Sequence, residues 1–293
     1  MTVCQPVWQL DLHRPPLTDA QGDPLWEFLA CTADLGFCYE AQISQGQVTA
    51  DWVTDQLRAA MDQAGYAPSQ VQVFRPQALS LLTLAADRLG LITLPTRRTP
   101  ALHQWLRQKA QALAQGGNPL GQTYDPLSID APPPLPLADH LWGDRWGFVT
   151  LAAGDFERTF PHEPIPIVQL PPAWLPSQVG LASTTPIPGI VIEGGRQAMA
   201  LAQWVQSVNP ATLRYLPGDP DGLILEAGLW DRWVMTTFAD GTMAQAGQQF
   251  EQRKGASQGL HFLLIRPDDS GLTYTGLWLL LDDGPTRRSA AGP

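Results

Sequence analysis

Hydrophobic and polar positions change period several times in the first 115 residues, and each change marks an element. Val7–His13 alternates around Trp8, Leu10 and Leu12, the period-two pattern of a strand. Leu25–Cys31 and Phe37–Ile43 repeat it across turn residues such as Asp34 and Gly36, so three strands form a meander. Val53, Leu57, Ala60, Met61 and Ala64 then recur at helical spacing. Thr49 can cap that helix, Asp51 suits its first turn and Gly65 can end it. Val71–Phe74 predicts a fourth strand. Pro76 fits a first helical position, and Gln77–Leu89 is apolar nearly all round, which predicts a helix buried on every side. Leu91–Leu94 predicts a fifth strand. A third helix opens at Thr99-Pro100, with Leu102, Trp105, Leu106, Ala110 and Leu113 on its apolar face.

Three strands, helix, strand, helix, strand, helix is the element order of a ribonuclease-H-like fold. The fold class is therefore α/β with mixed sheets, and this first domain spans residues 1–114. Residues 115–141 break the pattern: Gly116, Gly117, Pro119, Pro126, Pro132, Pro133, Pro134 and Pro136 sustain neither a helix nor a central strand. Tyr124, Leu127, Ile129 and Leu141 give this Pro/Gly-rich linker side chains worth burying against a domain. A second α/β domain covers 142–283. Its strands are expected at Gly147–Leu151, Pro166–Leu170, Ile190–Glu193, Thr212–Leu216, Gly222–Ala227, Arg232–Phe238, Leu260–Ile265 and Tyr274–Leu281. Its helices are expected near Gly195–Val208 and Thr242–Lys254, and residues 284–293 read as a disordered tail.

Composition narrows the class. No apolar run approaches the ~20 residues of a membrane helix, and the first residues show no secretory signal. Cys4, Cys31 and Cys38 suit free thiols better than a disulfide framework. The five histidines, at 13, 103, 140, 162 and 261, form no zinc spacing, and no cofactor fingerprint is present.

Charge changes the picture most. The formal net charge is −10, yet residues 75–109 hold Arg75, Arg88, Arg97, Arg98, Arg107 and Lys109 against one acid, Asp87. A polyanion needs local positive potential, not a positive total. Arg75, Arg97 and Arg98 fall at strand-to-helix junctions, where phosphates meet guanidinium groups and helix N-termini. Arg107 and Lys109 lie on the third helix. Gly194-Gly195-Arg196 follows a strand and opens a helix, so its backbone can approach an anion; a tight structural turn is the competing and favoured explanation. Asp11, with Glu27 or Glu40 on neighbouring strands, is the carboxylate set that metal-dependent nuclease chemistry would need.

Separate ungapped blocks carry a family resemblance. They include Trp8-Gln9-Leu10-Asp11, Val73-Phe74-Arg75-Pro76-Gln77, Pro95-Thr96-Arg97-Arg98-Thr99, Gly194-Gly195-Arg196-Gln197 and Gln258-Gly259-Leu260-His261-Phe262. In order from about residue 7 to Leu281, they resemble the Tab/Atab family. The resemblance implies a non-catalytic RNA-binding protein that takes up A/U-rich single-stranded RNA. It implies support for translation or biogenesis of photosystem proteins, in a larger complex with protein partners, and neither DNA binding nor membrane insertion. The family's C-terminal Trp-Leu-Leu element is matched by Trp278-Leu279-Leu280. The family block begins within a few residues of Met1, which leaves no room for a transit peptide and predicts a cyanobacterial, cytoplasmic protein. Two other readings stand beside this one. The acidic second half suits a protein-interaction scaffold without RNA contact, and Asp11 with Glu27 or Glu40 suits a nuclease.

Overall fold

The computed structural model describes residues 6–115 and 124–282 and the backbone of 287–289. The chain is mixed α/β and divides into two compact units, one of residues 1–131 with 284–293, the other of residues 132–283.

The first unit is built on a five-stranded sheet. Its strands are β1 (Val7–His13), β2 (Leu25–Thr32), β3 (Cys38–Ser44), β4 (Gln70–Val73) and β5 (Ile92–Pro95), in the order β3-β2-β1-β4-β5. β2 runs antiparallel to both β1 and β3, whereas β4 and β5 run parallel to β1. The helices are α1 (Ala50–Ala64), α2 (Pro76–Arg88) and α3 (Pro100–Gln115). The capping signals act as expected in α1. Thr49 Oγ1 accepts from the Trp52 amide, and Gly65 takes the left-handed conformation, φ 78°. α2 begins at Pro76, but it is not enclosed: Leu84 is 45% exposed. Its one buried stripe lies on the sheet and its other side faces solvent.

β1 is central and covered on both faces. Leu10 and Leu12 join Val53, Leu57, Leu82 and Phe28 in the core beneath α1 and α2. Strand alternation sends the other set to the opposite face, which α3 covers through Leu102 and Leu106. That set is polar: Gln9, Asp11 and His13, all buried. The placement of α3 thus puts a polar row with two ionisable members under a helix, and the row must be satisfied from within.

Strand β6 (Ile129–Ala131) follows, and the described part of the linker, residues 124–141, contributes to two cores. Leu127 and Ile129 bury in the first unit with Leu29 and Phe74. Leu137 and Leu141 bury in the second.

The second unit begins with β7 (Leu135–Pro136) and holds two sheets. The larger contains β8 (Arg145–Ala152), β9 (Ile167–Gln169), β10 (Pro186–Glu193), β14 (Leu260–Arg266) and β15 (Gly276–Leu281), in the order β8-β10-β14-β15-β9. The smaller contains β11 (Pro210–Leu216), β12 (Asp221–Ala227) and β13 (Asp231–Phe238), in the order β11-β12-β13-β7. Its helices are α4 (Ala153–Thr159), α5 (Ala198–Ser207) and α6 (Gly241–Ala256). The short α4, which the periodicity does not announce, anchors through buried Phe156. The Trp278-Leu279-Leu280 element lies in β15 and is wholly interior, so its side chains act in packing. Of the tail expected to be disordered, Arg287–Ser289 forms strand β16, parallel to β6. The rest of it, like Cys4 and residues 116–123 of the linker, lies outside the described residues. Cys31 and Cys38 pair in register across β2 and β3 and are free thiols.

Candidate nucleic-acid interface

The buried row on β1 is balanced by cations from other elements. Arg75, just past β4, donates from Nε to Asp11 Oδ1 at 2.8 Å and from Nη2 to Asp11 Oδ2 at 3.1 Å. The same guanidinium donates to the carbonyls of Pro126 at 2.8 Å and Ser128 at 3.3 Å. Asp11 is fully buried. Burial alone would raise its carboxyl, but Arg75 and His13 outweigh that and hold it well below the usual carboxylate range. Arg75 is therefore spent on an internal forked pair that also ties the post-α3 segment to the sheet.

The network continues outward along the α3 side. His13 Nδ1 lies 3.2 Å from Asp11 Oδ2, and its Nε2 is 3.7 Å from Glu27 Oε2. Glu27 Oε1 accepts from Gln42 Nε2 at 2.9 Å and lies 3.1 Å from Lys109 Nζ. Lys109 also pairs with Glu40. Burial would lower the ammonium's pKa, but Glu40 and Glu27 raise it above the ordinary lysine value. Cationic side chains thus occupy both oxygens of Asp11 and one oxygen of Glu27. Asp11 is forked to a guanidinium, and Glu27 pairs through Oε1 with an ammonium. The nuclease arrangement of Asp11 with Glu27 or Glu40 has no open ligand set around Asp11. Among the described residues no group of three or more His, Cys, Asp or Glu side chains is arranged to hold a metal ion. A cavity of about 460 Å³ opens beside the outer end of this network, against α3.

The other sequence-marked cations divide. Arg97 is buried and Arg98 half-buried in the turn before α3, and each is engaged by other groups. Arg107 is exposed, and no ion pair engages it among the described residues. α3 carries no acidic residue along its whole length. Its solvent side presents Gln104, Arg107, Gln108, Gln111 and Gln115.

Gly194 and Gly195 do not form an anion cradle. Their amides donate to the carbonyls of Arg266 and Pro267, at 2.9 and 3.0 Å. A Cβ at Gly195, φ 51°, would stand 2.2 Å from Asp144 Oδ2, so a carboxylate already fills the approach. The segment is a tight turn, and exposed Arg196 stands apart from the α3 face in sequence and in unit.

Sequence reasoning missed a second charged interior, in the second unit. Lys254 on α6 is buried, donates to the Leu213 carbonyl at 2.8 Å and pairs with Glu251 and Asp282 at 2.9 and 3.0 Å. His261 is fully buried; its Nε2 accepts from the Leu213 amide at 2.9 Å, so its proton sits on Nδ1, facing the Gly259 carbonyl at 2.8 Å. Burial, with Lys254 nearby, pushes its pKa down to about 3. The signal available in sequence was the rarity of lysine: only Lys109 and Lys254 occur, and both are held in ion pairs.

The molecule is thus a two-domain mixed α/β protein whose buried charges pair with one another, and whose helix α3 carries Arg107 and Lys109 without any acid and turns one side to solvent. The comparisons agree on what kind of protein this is. Residues 7–109 match the N-terminal model, and residues 124–281 the C-terminal domain model, of the RNA-binding protein Tab2/Atab2. The chain belongs to this RNA-binding family. It is 29% identical to the chloroplastic protein TAB2 homolog of Zea mays, over 95% of this chain and 72% of that one. It is 26% identical to the chloroplastic TAB2 homolog of Arabidopsis thaliana, over 95% of this chain and 75% of that one. Among solved structures, the HTLV-2 integrase catalytic core domain in complex with magnesium matches 39% of this chain and 75% of that one. Its identity is 13% and its TM-score 0.28, too slight a likeness to bear on the fold or the chemistry. Among the described residues no helix is long and apolar enough to cross a membrane.

Proposed function

We propose that this chain binds A/U-rich single-stranded RNA without cleaving it, in support of the translation or biogenesis of photosystem proteins. In this reading it acts in the cytoplasm, with protein partners in a larger complex. The N-terminal sheet is of ribonuclease-H-like topology: the order β3-β2-β1-β4-β5 with helical crossovers fits that reading. The RNA path runs along α3. The observation that carries it is a helix bearing cations and no acid in an otherwise acidic chain, with Arg107 unengaged among the described residues and glutamines beside it. Arginine supplies a phosphate fork, and glutamine amides supply neutral donors and acceptors to backbone and bases. Arg98 and Lys109 flank that face. Arg75, Gly194 and Gly195 serve the fold, and Arg196 is secondary. Binding without cleavage is supported by the cations already seated on Asp11 and Glu27.

The test is fluorescence anisotropy with a labelled A/U-rich 20-nucleotide RNA at graded salt. Wild-type protein should bind at low salt and weaken steeply as salt rises. Arg107→Glu should weaken binding about tenfold and reduce the salt slope by roughly one, with an unchanged melting temperature. No binding by wild-type protein at low salt, with RNA captured only through added partner proteins, refutes this reading in favour of the scaffold. Equal affinity of Arg107→Glu refutes the placement on α3.

A further inference from the structure

The cavity against α3 has the chemistry of a receptor for one small planar heterocycle. At about 460 Å³ it falls within the range of pockets that enclose small ligands. Leu17, Leu106 and Leu113 give it apolar walls, as flat ring faces require. Its polar groups come from five elements or segments: His13 on β1, Glu27 on β2, Gln42 on β3, Lys109 on α3 and Tyr124 from the segment after α3. Glu27 is only 1% exposed.

Two features show that the polar set is incompletely used. The Tyr124 hydroxyl is shielded from solvent and has no hydrogen-bond partner among the described residues. Such a group is costly unless something occupies it. Glu27 Oε1 serves both Lys109 and Gln42, but Oε2 is 3.7 Å from the His13 ring, beyond hydrogen-bond reach. An ionised carboxylate only accepts, so the vacant oxygen calls for an N–H donor. The phenolic hydroxyl can donate to a ring nitrogen at the same time.

We infer that this cavity binds a single nucleobase bearing an exocyclic amino group, with the amino group on Glu27 Oε2 and a ring nitrogen on the Tyr124 hydroxyl. Adenine and cytosine offer that donor-beside-acceptor pair. Uracil puts a carbonyl where the amino group would stand, and meets the carboxylate unfavourably. The inference rests on the RNA-binding reading above, and adds base selection to contacts that otherwise position phosphates. The base comes either from a strand lying along α3 or from a free nucleoside.

The experiment uses the full chain with four probes: adenosine, uridine, an octamer of uridines, and the same octamer with one central adenosine. Two variants accompany wild-type protein. Ala112→Phe, at an exposed lining position, fills the cavity without touching the core, and Tyr124→Phe deletes one hydroxyl. The adenosine-bearing octamer should bind about fivefold or more tightly than the all-uridine octamer, about the value of one good hydrogen bond. Ala112→Phe should abolish that preference, and Tyr124→Phe should lose most of it. Saturable binding of adenosine over uridine that Ala112→Phe abolishes supports the cavity and, without octamer preference, identifies a free nucleoside as the ligand. Equal binding of both octamers with no adenosine binding overturns the inference. So does a preference that survives Ala112→Phe in a variant that melts like wild type. Failure is distinguishable from failure of the RNA-binding reading, because all-uridine binding sensitive to Arg107→Glu persists in the first case only.

Discussion

Replacing Arg75 by methionine should unfold the first unit more readily while leaving RNA affinity of the folded protein unchanged. Arg75 makes four hydrogen bonds, two to Asp11 and one each to the carbonyls of Pro126 and Ser128. Asp11 has no exposure and Arg75 only 11% at the side chain. Solvent therefore cannot replace the lost partner. Removing one member of such a buried pair costs roughly 3–5 kcal/mol, mostly because the other charge is left uncompensated. The Leu12 amide would remain on Asp11 Oδ1, at 2.9 Å, which favours the lower part of that range. Urea unfolding, combined with hydrogen exchange of the β1 and β4 amides, reads this loss in the first unit alone. Asp11→Asn should cost a similar amount, and the double variant should cost much less than the two singles together. Acid gives a second check. Asp11 is held below its ordinary value of 3.8, so its contribution is complete above that pH and is lost as pH falls toward the folded value. In Arg75→Met the carboxylate loses its partner and takes up a proton more easily. The stability gap between the two proteins should therefore narrow below 3.8. A cost below about 1 kcal/mol, or single effects that add within ~0.5 kcal/mol, would refute the forked pair as the organiser of this face.

Two further outcomes follow from the second unit. His261 should remain neutral by NMR from pH 8 down to 5, since its pKa is pushed down to about 3 from 6.5. Only the unfolded chain then gains its proton below 6.5, so this residue makes stability fall as pH drops from there toward 3; an imidazole titrating near 6.5 would contradict the buried Nε2 acceptor. Gly195→Ala should destabilise that unit by more than ~1 kcal/mol, through its positive φ and the Asp144 carboxylate against the added carbon. Its RNA affinity should not change, and a selective loss of RNA binding would restore the glycines as an anion site.

Periodicity located the elements well because each obeys a local rule. Val7–His13 alternates, Thr49 caps and Gly65 terminates α1, and all three appear where their patterns stand. Errors arose where tertiary placement decides. The composition of α2 suggested enclosure, but its outer side, including Leu84, stays exposed among the described residues. The fate of the arginines was illegible for a related reason. Arg75 and Asp11 are 64 residues apart and meet only because β4 lies beside β1. Nothing in a list of cations tells a guanidinium forked under a helix from one in water. Arg107 and the acid-free run around it were readable directly, since an exposed helical face depends on spacing alone. The cavity was not: Glu27 and Tyr124 belong to separate segments, and only folding brings them to one wall.

The scarcity and placement of lysine bear on how any assembly around this protein is mapped. Its two side-chain amines are Lys109, 24% exposed, and Lys254, 4% exposed, each clasped by carboxylates. Succinimidyl esters and other amine-directed coupling reagents would leave its side chains almost blank, whatever was bound beside it. Reagents that activate Asp and Glu, or photochemical coupling through nucleotides, would instead find the groups this molecule does show to its neighbours.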